Sequence, residues 1–137
     1  MSVLIDTGIF IAYINKRDSN HDKAVSLLED IMRGRYGISY TSDYIFNEAV
    51  TYTLMKTKDI GKALDVGRLI LGDGELPRFT HILFVDRGTF NKAWEIFLKY
   101  DRLSFTDCTS IALINEYEIN YIASFDSGFD GIVARLH

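Results

Sequence analysis

One cysteine, one proline and one tryptophan occur in the 137 residues of this chain. The lone cysteine, Cys108, excludes an internal disulfide and a thiolate metal cluster, and a reducing cytoplasm is the expected compartment. The lone proline, Pro77, leaves no proline-rich linker; it follows Gly72-Asp73-Gly74-Glu75-Leu76, and this glycine-rich stretch reads as a turn. No apolar run is long enough to cross a bilayer, so no membrane association is expected. Met1 to Asp6 leads straight into a strand-like run without a basic region or cleavable apolar stretch, and a signal peptide is not expected. The three histidines, His21, His81 and His137, lack metal-ligand spacing, and no pair is placed for a histidine-driven ribonuclease. Excess positive charge is missing too. The formal net charge is −4, unlike a typical nucleic-acid binder. Four acids holding two divalent cations would bring that balance to zero, so the sign weighs little against a phosphate-bearing substrate.

The composition is 47% hydrophobic, 13% aromatic and 25% charged, which suits one globular domain over residues 1–137. Apolar Ser2 to Ile5 reads as a buried strand stopped by Asp6, and Gly8 to Ile14 has helical spacing. Asn20 is placed to cap a helix to about Met32, with Ala24, Leu27, Leu28 and Ile31 on one face. Gly37 to Tyr40 reads as a second strand. Ser42 or Asp43 caps a helix through Thr57, and another covers Ile60 to Leu71. Thr80 to Val85 reads as a third strand, after which Asp86 can cap a helix with Phe90, Ala93, Trp94, Phe97 and Leu98. Ser104 opens a helix to about Tyr117; Tyr121 to Ser124 is a fourth strand, and Ile132 to Arg135 a short fifth. Strands alternating with such helices predict an α/β fold with a mainly parallel sheet of four or five strands, covered on both faces. Ligands in such sheets gather at the carboxyl ends of the strands.

Four acids, Asp6, Glu48, Asp107 and Asp126, fall where one sheet edge could gather them. Each has a structural alternative. Asp6 can cap the helix after it. Ser104-Phe105-Thr106-Asp107 fits a capping box. Asp126 precedes Ser127-Gly128 and can form a turn, as can Asp130. Glu48 is harder to explain this way: it shares a helix face with Tyr44 and Tyr52, flanked by Ile45 and Ala49, and no Lys or Arg lies one turn away. Their joint placement favours a hard divalent-cation site over four separate coincidences. Thr7 and Thr106, beside two of the acids, can orient a carboxylate or a water, or merely cap. Cys108 reads as a small buried apolar residue. Lys16, Arg17, Lys56, Lys58, Lys62 and Arg102 are the cations that could meet a phosphate chain.

Other chemistries fit less well. Asp6-Thr7-Gly8 matches the tripeptide of aspartic proteases, but those need an all-β fold. Haloacid dehalogenase-like phosphatases want a second Asp where Gly8 stands, and receiver domains want an acidic pair and a late Lys that are not visible.

Nearly the full length resembles a PIN domain, in particular the single-domain VapC-like toxin ribonucleases. The resemblance rests on Asp6-Thr7 after the first strand, on Asn20-His21-Asp22-Lys23-Ala24 and on Asn47-Glu48. Its most specific parts are Leu103-Ser104-Phe105-Thr106-Asp107 and the run from Ile122 through Asp126 to Asp130. It implies a three-layer α/β/α sandwich and Mg²⁺- or Mn²⁺-dependent endoribonuclease action, often as a homodimer. Asp6, Glu48, Asp107 and Asp126 match the family's acidic quartet; Asp130 matches an acid found in only part of the family, and Thr7 supplies its hydroxyl. The implied arrangement has Asp6, Asp107 and Asp126 on the main ion, with Glu48 acting through water or on a second ion. RNA is the implied substrate, and the toxin type implies a basic or amphipathic antitoxin segment as partner. The resemblance also allows an RNA-processing PIN nuclease without an antitoxin, or a non-catalytic PIN-fold binding module.

Overall fold

The computed structural model describes residues 1–73 and 75–137. The chain runs β1 (Ser2–Ile5), α1 (Thr7–Ile14), α2 (His21–Met32), β2 (Ile38–Ser42), α3 (Asp43–Thr57), α4 (Ile60–Leu71) and β3 (His81–Leu83). It continues with α5 (Arg87–Lys99), α6 (Phe105–Glu116), β4 (Tyr121–Ala123), a 3₁₀ turn (Ser127–Phe129) and β5 (Ala134–Leu136). The five strands form one sheet in the order β3-β2-β1-β4-β5, every pair parallel.

The strand order decides the layers. From β1 the chain steps through β2 to β3 in one direction, then crosses back to β4 and β5. Right-handed crossovers therefore put α1–α4 over one face and α5–α6 over the other. The packing agrees: α1 meets α2, α3 and α4, while α5 meets α6. Central β1 is covered on both sides, and Val3, Leu4 and Ile5 are wholly buried with Phe10, Ile45, Leu113, Ile122 and Phe129. Gly37 opens β2 at φ 77°, and a Cβ there would strike the Met1 carbonyl, which instead accepts from Ile38 N at 3.1 Å.

Several element ends differ from the sequence pattern, and hydrogen bonds made outside the strand ladder mark the differences. β2 runs on to Ser42: Thr41 Oγ1 donates to Ile5 O at 3.1 Å, and Ser42 Oγ caps α3 by accepting from Ile45 N. β3 is shorter than Thr80–Val85, because Val85 N is taken by Asp43 Oδ1 at 3.0 Å and Phe84 is 70% exposed. β5 begins at Ala134 rather than Ile132, because the amides of Ile132 and Val133 both donate to Phe129 O. Asn20 stands at the cap position of α2, but its side chain makes no capping bond. Gly72 ends α4 at φ 74°, and Asp73 Oδ1 accepts from Glu75 and Leu76 N; Gly74, the third residue of that expected turn, lies outside the described residues.

β1 and β4 are neighbours from which the chain departs in opposite directions. Their carboxyl ends make the switch point where an open parallel sheet leaves a crevice.

Candidate active site

Asp6 is the first residue past β1 and the N-cap of α1. Its Oδ1 accepts from Thr7 N at 2.9 Å and its Oδ2 from Ser124 Oγ at 2.6 Å. One side chain thus caps α1 and lines the cavity at the sheet's edge. Burial pushes the Asp6 carboxyl up from 3.8 to about 7. The Ser124 hydroxyl and the Thr7 amide oppose that rise, and the charges of Asp107 and Glu48 add to it.

Asp107 lies in the first turn of α6 and closes the expected capping box. Its amide donates to Ser104 Oγ at 3.1 Å, and its Oδ2 accepts from Ser104 N at 3.0 Å. Only 8% exposed, its carboxyl is also pushed up, first by burial and then by the Asp126 and Glu48 charges against the Ser104 bonds. Glu48 is half-buried on α3 and has no ion-pair partner among the described residues. Asp126 is exposed and caps the 3₁₀ turn, accepting from Gly128 N at 2.8 Å.

All four acids line one cavity of about 560 Å³ at the switch point. Thr7, Ser104, Asp18, Asn20, Tyr52 and Phe125 are among its other walls, and no Lys, Arg or His is found among its described lining residues. The Thr7 hydroxyl is buried without a hydrogen-bond partner among the described residues. Two residues expected here stand elsewhere. Thr106 is not a wall; its carbonyl accepts from Thr109 Oγ1 at 2.6 Å. Asp130 is gripped from outside the cavity by Arg135, at 2.7 Å from Nε and 3.2 Å from Nη2, which holds its carboxyl below the usual range. Cys108 is buried, and burial pushes its thiol up, as fits a core residue.

Ser124 escaped the sequence pattern. It is wholly buried, donates to Asp6 Oδ2 and accepts from Asp126 N at 3.0 Å, so one hydroxyl ties two of the acids together. The signal was slight: a small polar residue closing the apolar run Tyr121–Ala123.

Among the described residues, no three His, Cys, Asp or Glu side chains close to direct coordination of an ion. The donors still suit Mg²⁺ or Mn²⁺. They are all oxygen, they stand around a cavity wide enough for retained waters, and two of them are carboxyls pushed up chiefly by burial, with neighbouring carboxylates adding to the rise. The orphaned Thr7 hydroxyl adds one more oxygen beside Asp6.

Comparison with known proteins agrees with this geometry. The PIN domain family model matches residues 3–134. A VapC ribonuclease of Archaeoglobus fulgidus is 30% identical over 132 residues, covering 94% of this chain and 80% of that protein. Among solved structures, VapC20 of Mycobacterium tuberculosis, described as a sarcin–ricin-loop-cleaving toxin, superposes with a TM-score of 0.76 at 21% identity. The match covers 93% of this chain and 91% of VapC20. VapBC2 of Rickettsia felis, bound to a promoter DNA fragment, gives 0.71 at 14% identity over 99% of this chain and 98% of that one. FitAB on a DNA fragment gives 0.62 at 18% identity, covering 98% and 93%. These three share the fold, and the family model together with the VapC relative shows that the chain belongs to the PIN domain family.

Proposed function

We propose that this protein is a metal-dependent endoribonuclease and the toxin of a toxin–antitoxin pair. The observation that carries the reading is the gathering of Asp6, Glu48, Asp107 and Asp126 around one cavity at the sheet's switch point. Likeness to the A. fulgidus VapC ribonuclease supports RNA as the substrate.

Asp6, Asp107 and Asp126 would hold a Mg²⁺ or Mn²⁺ ion, with Glu48 acting through water or on a second ion. The chemistry such an ion supplies is activation of a water and neutralisation of charge building on the phosphate. Ser124 fixes the Asp6 carboxylate and the Asp126 backbone in one frame. The capping box does the same for Asp107, because the bond to Ser104 N locks its rotamer. The Thr7 hydroxyl, free of other partners among the described residues, can orient a water beside Asp6. Hydrolysis in this frame leaves a 5′-phosphate and a 3′-hydroxyl.

An antitoxin partner is supported by likeness to the toxin VapC20 and to chains in VapBC2 and FitAB. A homodimer is supported by the apolar face of α5, where Phe90, Trp94, Phe97 and Leu98 are 37–69% exposed. The single buried cysteine suits the cytoplasm, and no helix among the described residues is long and apolar enough to cross a membrane. The test is Asp6→Asn and Asp107→Asn with Mn²⁺ on structured RNAs. Both substitutions are expected to abolish cleavage, and undiminished cleavage by either would remove its acid from the site.

A further inference from the structure

The acidic cavity poses an electrostatic problem for its substrate. Five acids, Asp6, Asp18, Glu48, Asp107 and Asp126, line it without a lysine or arginine among the described walls. A cation held by these acids would offset charge at the cut itself, while the flanking phosphates of the strand would still meet carboxylates. Something cationic must hold the strand close by.

A second, smaller cavity of about 50 Å³ abuts the first. Ile11, Asp18 and Tyr52 are walls of both. Its other walls include Lys56 near the end of α3 and Lys62 in the first turn of α4. The turn between these helices, with Lys58 at φ 53°, brings the two lysines to the same end of the hairpin. Lys56 Nζ donates to Tyr52 Oη at 3.1 Å and stands 5.4 Å from the Tyr52 ring centre. Tyr52 thereby sets the Lys56 ammonium at the boundary of the acidic cavity. Neither lysine is in an ion pair among the described residues, whereas Arg33, Arg35, Arg68 and Arg135 each have an acid partner. Both lysines are exposed, so a phosphate can be taken up without desolvating a buried charge.

Resting on the nuclease reading, we propose that Lys56, held beside the acidic cavity by Tyr52, and Lys62, across the adjoining cavity, form a phosphate subsite that grips the RNA strand on one side of the cut. The subsite binds backbone rather than bases, so it adds affinity without sequence preference. Its contribution fades with salt, by about 0.7 in the logarithmic slope for each phosphate contact to a single strand.

The experiment is anisotropy titration of a fluorescent, mixed-sequence single-stranded RNA across a range of KCl, with Ca²⁺ in place of Mn²⁺. Steady-state cleavage with Mn²⁺ is measured alongside. The Lys56→Gln, Lys62→Gln double variant is expected to bind roughly tenfold more weakly, with a salt slope smaller by about 1.4. Its KM should rise while kcat holds. Lys56→Arg with Lys62→Arg should restore binding. The charge-matched control is Lys92→Gln with Lys99→Gln, at a cavity between α5 and the far end of α6. It should bind like the wild type. If the wild type cleaves RNA but the Lys56, Lys62 variant binds as tightly as wild type, or the control weakens binding equally, the subsite is wrong and the nuclease reading stands. If the wild type binds no RNA, both fall.

Discussion

Ser124 Oγ donates a 2.6 Å hydrogen bond to Asp6 Oδ2 across 118 residues of sequence. The contact joins the ends of β4 and β1, and the same hydroxyl accepts from Asp126 N. Because this bond opposes the burial that raises the Asp6 carboxyl, its loss moves the carboxyl further up. Ser124→Ala should shift the rising limb of the cleavage pH profile to higher pH. Mn²⁺ affinity at neutral pH should fall roughly tenfold or more, as for other groups that orient a ligand. A pH–rate profile and a Mn²⁺ titration of the variant check this.

The raised Asp6 carboxyl has a consequence for stability. In the unfolded chain it titrates near 3.8, and in the folded protein near 7. Between those values the folded state binds more protons, so metal-free stability declines as pH rises from about 4 and is lowest above 7. The ceiling on the loss is about 4 kcal/mol, from roughly three pKa units at about 1.4 kcal/mol each. Asp6→Asn should therefore melt higher than wild type in EDTA at pH 8, with the gap closing at pH 4. Thermal melts at the two pH values read the difference. A lower melting temperature for the variant at pH 8 would show that burial does not penalise this charge.

Asp107 closes the capping box of α6 and also lines the acidic cavity, and two substitutions separate the cap from the proposed metal role. Asp107→Asn keeps an oxygen for Ser104 N, whereas Asp107→Ala loses it. The alanine variant should be less stable than the asparagine variant by about 1 kcal/mol. Both should be inactive. Urea unfolding beside a cleavage assay resolves them, and an active asparagine variant would leave Asp107 with the cap alone.

The exposed face of α5 predicts self-association. Trp94→Glu with Leu98→Glu should convert a dimer to a monomer in sedimentation equilibrium, with little change in the melting temperature, since both side chains are half or more exposed. A monomeric wild type would contradict the assignment of this face.

Features set by neighbours in sequence were legible before the structure. β1 reads as a buried strand because Val3, Leu4 and Ile5 are consecutive and apolar; Asp86 and Ser104 read as caps because a capping bond spans three residues, while of the two candidates Ser42 and Asp43 it is Ser42 that caps α3. What was not legible depends on distant partners. Ser124 matters because Ile5 pairs with Ala123 across the sheet, a register no local pattern encodes. β3 stops early because Asp43, forty-two residues away, takes the Val85 amide. Thr106 is not among the cavity walls, because successive residues on a helix point about 100° apart and its neighbour Asp107 is the one that faces the cavity. Asp130 resembles the other acids in sequence, yet Arg135, in β5, claims it.

The most direct measurement is a calorimetric Mn²⁺ titration of the wild type beside Asp6→Asn and Asp107→Asn at neutral pH. Saturable binding by the wild type, lost in both variants, is the expected result. No binding by the wild type, or equal binding by all three, would contradict a metal centre built from these acids and would favour a PIN fold that binds without cutting.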